Sequence, residues 1–427
     1  MDRKAQLLDE IERRRDDLVA LTRALVRIPS INPPGDCYRE ICDFLATRLR
    51  RKGFAIELMR AEGTPGDSDR FPRWNVVARR EGAGPGECVH FNSHTDVVLP
   101  GQGWTFDPFG GEIQDGRIYG RGTCDMKGGL AASIIAAEAF IDVFPDFAGA
   151  IEISGTADEE TGGYGGVAYL AQKGYFSPDR VQHVIIPEPL NKDRVCLGHR
   201  GVWWAEIETK GRIAHGSMPF LGESAIRHMG AVLAEIEEKL YPALEQKHTA
   251  MPVVPPQARQ STLNINSIHG GLPELEGGFT GFPSPVVADS ARIVIDRRYL
   301  IEETDTAVRQ EVIDLLERVK ARRPNFRYEL REMWSVSPTL TDRGAPVVRA
   351  VAGAVREVFG RDPDYVVSPG TYDQKHIDRI GKLRNCIAYG PGILDLAHQP
   401  DEWVGVADME ESAKVMALAL LQLLGPL

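Results

Sequence analysis

CVHFNSHTDVVLPGQGWTFDPFGGEIQDGRIYGRGTCDMKGG, residues 88–129, is the stretch on which the reading of the whole chain turns. It opens with an apolar, strand-like run that ends in His94-Thr95-Asp96. It closes with Asp125 in a glycine-flanked turn, just ahead of a helix-like segment rich in small residues. In an extended segment, residues two apart point the same way, so His94 and Asp96 share a side. Asp96 is then placed to orient the imidazole, the outer partner that a metal-ligating histidine usually needs. A lone His-x-Asp is common and is more often a core histidine beside a turn aspartate. The rest of the chain decides between the two.

Working outward, the segments around this stretch alternate between strands and helices. A strand over residues 54–59, a second over 74–79 and a third over 88–93 precede a buried helix, 130–140. A strand over 150–156, a short helix over 167–173 and the apolar run Gln182–Pro187 come next. That alternation predicts a three-layer α/β domain around a central, mostly parallel sheet. The character changes at about residue 200. A period-two strand (202–210), a helix (224–240), a loop-rich stretch (241–260), a strand (262–268), a Gly/Pro-rich turn region, a strand (291–299) and a helix (306–321) form an inserted α+β unit. The expected division is therefore a first domain of residues 1–199 and 331–427, with residues 200–330 inserted. The N-terminal segment repeats Leu7, Leu8, Ile11, Leu18, Leu21 and Leu25 at helical spacing, which predicts one amphipathic surface helix. Helices over 345–359 and 409–424 lie near the end of the chain.

Composition narrows the function classes. A chain of 427 residues is long for a single core, so two domains are expected. The net charge of -11 and the absence of a basic block argue against nucleic-acid binding. No run of 18 apolar residues offers a membrane span, and no signal-peptide core is visible. The six cysteines are scattered without a CxxC, which fits reduced thiols in a cytoplasmic protein.

Five potential ligands fall at strand ends or in the loops just after them, where α/β sheets build their sites. They are His94, Asp125, one of the pair Glu159-Glu160, Glu188 and His398. Two imidazoles and three carboxylates suit two divalent transition ions that share one carboxylate. Metals about 3.5–4 Å apart can activate a bridging water. In Glu159-Glu160, one residue can ligate while its neighbour moves protons.

The order HTD, GRGTCDMKGG, DEE, PEP and AHQPDE closely resembles the M20 metallopeptidase family, which includes deacetylases, desuccinylases, aminoacylases and carboxypeptidases. The resemblance covers essentially the whole chain. It implies a catalytic di-metal domain and an inserted ferredoxin-like lid that usually dimerises, hence a homodimer. It implies that His94 binds one metal and His398 the other, with Asp125 bridging and Glu160 and Glu188 completing the two sets. It implies that Asp96 orients His94 and that Glu159 is the general base. The metals would be zinc, with cobalt or manganese as alternatives.

In the inserted unit, AHGSMP resembles the lid motif whose histidine, here His215, stabilises the oxyanion of the partner subunit's reaction. Arg298 resembles the lid arginine that takes a substrate carboxylate. Gly370, Thr371 and Tyr372 resemble the GTxD loop lining the substrate pocket. Two departures stand out. The asparagine common just before the arginine strand is missing from Pro285-Val286-Val287-Ala288-Asp289, and the GTxD loop continues into Gln374-Lys375-His376 where an arginine is common. Both fall on substrate recognition. The expected activity is hydrolysis of the amide C–N bond of a small N-acyl amino acid. A dipeptidase or carboxypeptidase, a carbamoyl- or aryl-amide hydrolase, and a non-catalytic metal-binding protein on the same fold are the alternatives.

Overall fold

The structure, a computed structural model, describes residues 2–271 and 285–425; part of the Gly/Pro-rich turn region read before Ala291 lies outside them. The chain divides into two compact units. One comprises Met1–Gly198, Leu340–Ser368 and Tyr372–Leu427; the other comprises His199–Thr339 and Pro369–Thr371.

The first unit is built on a nine-stranded sheet. Its strands run in the order Ala55–Arg60, Trp74–Glu81, Ala148–Thr156, Gly84–His94, His183–Ile186, Cys386–Ala388, Arg194–His199 and Thr339–Leu340, with Asp364–Ser368 paired to Arg194–His199. The four central strands, from Ala148–Thr156 to Cys386–Ala388, are parallel, and the pairs flanking them at Trp74–Glu81 and Arg194–His199 are antiparallel. Val89, Phe91, Ile151 and Ile153 join the main core with the helices Gly128–Val143, Pro346–Phe359 and Val406–Leu424. The residues between them, His90, Asn92, Glu152 and Ser154, face the other way. There His90 stacks on Phe176 and Asn92 bonds Asp373, just before the helix Gln374–Arg379. Helices on both faces of a parallel centre make the expected three layers.

The N-terminal segment is two helices rather than one, Arg3–Arg13 and Arg15–Val26. Arg14 turns between them, and its guanidinium reaches Glu10 and Glu138. Five of the six apolar positions read from the sequence are buried, with Leu8 half-buried, so the periodicity holds through the break.

The second unit carries the strands Gly201–Lys210, Thr262–Gly270, Ser290–Tyr299 and Arg327–Val336 and the helices Ala225–Glu235 and Asp305–Arg322. All its strand pairs are antiparallel, and the spatial order is second, third, first, fourth. This is the β-α-β-β-α-β arrangement of a ferredoxin-like fold. Along Gly201–Lys210, Trp203, Ala205 and Ile207 alternate into a core shared with Ile293, Ile295, Val232 and Leu316. Arg327–Val336 pairs along Gly201–Lys210, so this unit runs on to Thr339 rather than stopping at residue 330. All six cysteines are free. Among the described residues, no helix is long and apolar enough to cross a membrane.

Candidate active site

Three neighbouring parallel strands end side by side, and the sheet register brings the loops beyond their ends together. His94 is the last residue of Gly84–His94 and pairs with Thr156, the last residue of Ala148–Thr156. Glu159 and Glu160 come three and four residues beyond Thr156, in a short 3₁₀ turn. Glu188 lies just past Ile186, the last residue of His183–Ile186. Gly129 lies in the first turn of the helix after Asp125, and a Cβ there would lie 2.0 Å from the Pro187 carbonyl oxygen. Only glycine lets the helix start come that close to the strand end that carries Glu188.

Asp125 and His398 are brought together by a small separate sheet. Trp403–Gly405 pairs with Arg117–Tyr119, which joins the loop before Asp125 to the loop after His398. Buried Glu402 then ties the two loops. Its Oε1 accepts the backbone N–H groups of Cys124 at 2.8 Å and Asp125 at 3.1 Å, and its Oε2 pairs with Arg121 at 2.5 Å. Arg121 in turn donates to the carbonyls of His398 and Gln399, both at 3.3 Å. The sequence reading gave neither residue a role, although both sit inside the motifs it singled out. The Asp125–Met126 peptide is cis.

The ligand candidates converge. His94 Nε2 lies 3.0 Å from Asp125 Oδ1 and 3.9 Å from Glu188 Oε1. His398 Nε2 lies 3.5 Å from Asp125 Oδ2 and 3.1 Å from Glu160 Oε1. Asp125 thus offers one oxygen to each imidazole. His94, Asp125 and Glu160 present donor atoms all within 4.8 Å of one another, a group able to hold a metal ion.

Asp96 meets His94 as expected and has a second task. His94 Nδ1 lies 2.9 Å from the Asp96 backbone carbonyl and 3.6 Å from its carboxylate. The carbonyl therefore orients the ring. The carboxylate also accepts the N–H groups of Glu159 at 3.2 Å and Glu160 at 3.1 Å, together with Asn32 Nδ2 at 3.1 Å. It fixes the turn that presents both glutamates. The 3₁₀ turn Glu159–Thr161 is what separates the two side chains.

The electrostatics ask for cations. Burial raises Glu160 and Glu188 above the usual carboxylate range, and the Asp125 charge pushes both the same way. Burial works against the charge on Asp125 too, but hydrogen bonds from His398 and His94 overcome it and hold that carboxyl low. Hydrogen bonds to Asp125 and Glu160 raise His398. Among the described residues, the side chains paired with Asp125, Glu160 and Glu188 are these imidazoles, with no lysine or arginine. A cluster of imidazoles and carboxylates with no lysine or arginine paired to it fits bound divalent metal.

The remaining predicted residues fall in two places. Tyr372, expected at a substrate pocket, is buried at 5% exposure, and its hydroxyl bonds Gln374 and lies 3.6 Å from Cys196 Sγ. Burial raises its pKa well above the ordinary value. Its ring belongs to the interior. Gly370 and Thr371 group with the second unit, where the preceding Pro369 carbonyl accepts from Arg200 at 3.2 Å. His215 is exposed in a turn of the second unit, and its Nδ1 accepts from Ser217 N–H at 3.1 Å. The neutral ring therefore carries its proton on Nε2, an assignment inferred from that bond. Arg298 is held by Asp296 through two bonds of 2.7 and 3.0 Å. Its neighbour Arg297 is fully buried against Glu303 and Glu311, a structural role.

A cluster of imidazoles and carboxylates at the strand ends of an α/β unit, in a chain that also carries an inserted ferredoxin-like unit, is the arrangement of a metal-dependent hydrolase. The chain belongs to peptidase family M20/M25/M40, whose model matches residues 90–422. It is 31% identical over 418 residues to the succinyl-diaminopimelate desuccinylase of Acinetobacter baylyi, covering 96% of this chain and 99% of that one. Its fold is similar to that of human carnosine dipeptidase 1, with a TM-score of 0.75 at 20% identity over 98% of each chain. It is also similar to an M20 family metallo-carboxypeptidase from Sulfolobus solfataricus, with a TM-score of 0.73 at 20% identity over 95% of this chain and 98% of that one. The protein is thus a metal-dependent hydrolase of the M20 group acting on small amide or peptide substrates.

Proposed function

We propose that the protein is a dinuclear amidohydrolase that cleaves the amide C–N bond of a small N-acyl amino acid, with N-succinyl and N-acetyl diamino acids as the first candidates. The observation that carries this reading is Asp125, set between two imidazoles with one oxygen toward each. His94, Asp125 and Glu188 on one side, and His398, Asp125 and Glu160 on the other, would hold two divalent ions, zinc first and cobalt or manganese next. Bound there, the ions supply Lewis-acid polarisation of the scissile carbonyl and a water acidic enough to attack at neutral pH.

The protein's own groups do the rest. Glu159 takes the proton of the attacking water and delivers it to the leaving nitrogen, a shuttle suited to a carboxylate fixed by its backbone N–H on Asp96. His215, with its proton on Nε2, is a donor suited to the developing oxyanion. Arg298 offers a guanidinium to a substrate carboxylate by exchange with Asp296. The full-length similarity to the desuccinylase supports an acyl-diamino acid. The dipeptidase and carboxypeptidase folds favour a second reading, a dipeptide substrate, in which the same machinery acts on a peptide bond.

The test is a panel of N-succinyl, N-acetyl and N-carbamoyl amino acids and dipeptides, with free amine as the readout and Zn, Co or Mn loaded in turn. Glu159→Gln, run alongside, is expected to keep fold and metal and lose about 10²–10⁴-fold in kcat. Equal turnover by wild type and Glu159→Gln would exclude this mechanism.

A further inference from the structure

Lys375 stands where the motif commonly carries an arginine, and the structure shows what it touches. Its side chain is almost fully buried, and Nζ donates to Glu159 Oε1 at 2.8 Å. Burial disfavours the ammonium, but the charges of Glu159 and Asp373 more than offset it, so Lys375 stays cationic.

Asp373 is held by a chain of hydrogen bonds crossing the sheet. Asn92 Nδ2 donates to Asp373 Oδ2 at 2.9 Å, and Asn92 Oδ1 accepts from Ser154 Oγ at 2.8 Å. Ser154 has given its only proton to Asn92, so at 2.8 Å it accepts from His90 Nε2. His90 Nδ1 lies 3.2 Å from Glu152 Oε2, and Glu152 Oε1 is paired with Arg79 at 2.6 Å and Arg180 at 2.9 Å. The strand register sets His90 against Glu152 and Asn92 against Ser154, so the four form one stripe on one face. The middle of a parallel sheet is ordinarily apolar on both faces. Hydrogen bonds run unbroken from His90 through Ser154 and Asn92 to Asp373, the residue that precedes the helix Gln374–Arg379.

We infer that Lys375 is the positioning residue of the base: it fixes Glu159 by one oxygen and leaves the other for the water, and the hydrogen bonds from His90 to Asp373 anchor the start of the helix Gln374–Arg379, whose first turn carries Lys375. A lysine suits this task because a point charge takes one oxygen where an arginine fork takes both. This inference rests on Glu159 being the base, as proposed above.

Lys375→Met and Lys375→Arg test it, the second keeping the buried charge should the first fail to fold. In Lys375→Met, kcat is expected to fall about 100-fold, the cost of a misplaced group of about an ångström. KM and metal content should stay near wild type for every substrate in the panel. In Lys375→Arg, kcat should also fall, with both oxygens of Glu159 engaged in the crystal. A crystal structure of metal-loaded Lys375→Met should show the Glu159 carboxylate displaced.

Three results would overturn the inference. One is wild-type kcat in Lys375→Met. The second is a Glu159 that keeps its position in Lys375→Met. The third is a loss confined to KM and to carboxylate-bearing substrates, which would make Lys375 a substrate ligand. The crystallographic arm needs no turnover. A displaced Glu159 in a protein that hydrolyses nothing sinks the function and keeps the positioning. Turnover lost in Glu159→Gln yet intact in Lys375→Met does the reverse.

Discussion

The ligand cluster at the strand ends and the polar residues of the inserted unit are held in opposite ways. In the cluster, the loops that carry Asp125 and Glu159 are fixed by partners far along the chain. Asp125 N–H is bound by Glu402, 277 residues away, and Glu159 is paired with Lys375, 216 residues away. In the inserted unit, His215 is held by Ser217 and Arg298 by Asp296, each two residues distant. The first region is cross-linked and mostly buried, with His398 exposed at its rim, so its geometry is a property of the whole unit. The second is partly exposed and locally braced, so it can change without disturbing the fold. Both departures from the common motif lie outside the ligand cluster, one before the strand of Arg298 and one at Lys375 beside Glu159.

The largest effect that should sharpen this contrast is at Glu402. Removing one partner of a buried ion pair typically costs about 3–5 kcal/mol. Glu402→Gln is therefore expected to lower the melting temperature clearly and to reduce divalent-ion content, read by elemental analysis after dialysis. A variant that keeps both would show that the two loops are held by something else.

Arg298→Ala should act oppositely and more weakly. Its ion pair with Asp296 is partly exposed and contributes little to stability. The melting temperature and metal content should stay unchanged. A hydrogen bond to a charged group is worth about 1.5–3 kcal/mol, so KM for a carboxylate-bearing substrate should rise roughly tenfold or more. A loss of stability there would erase the distinction between the two regions.

Much of this was legible in the sequence because strand ends announce themselves. Apolar runs closing on His94, on Thr156 before Glu159-Glu160 and on Pro187 before Glu188 mark three neighbouring strands, and parallel pairing then gathers their ends. The inserted unit was legible from period-two strands separated by helices. The long-range pairs were not legible. Nothing local joins Arg121 to Glu402 or Lys375 to Glu159, and the stripe of His90 and Asn92 reads as an ordinary strand until Glu152 and Ser154 come into register. The break at Arg14 escaped because no glycine or proline marks it. Tyr372 escaped because a tyrosine in a loop gives no sign whether its ring turns inward. The further bonds of the Asp96 carboxylate escaped because spacing reports which side a residue faces, while these partners depend on the turn at Glu159–Thr161.

The most direct test of the central claim is anomalous diffraction from crystals of the zinc-loaded protein. Two anomalous peaks per chain are expected, one beside His94 and Glu188 and one beside His398 and Glu160, with an Asp125 oxygen on each. A single peak, or two peaks that Asp125 does not join, would contradict the dinuclear site.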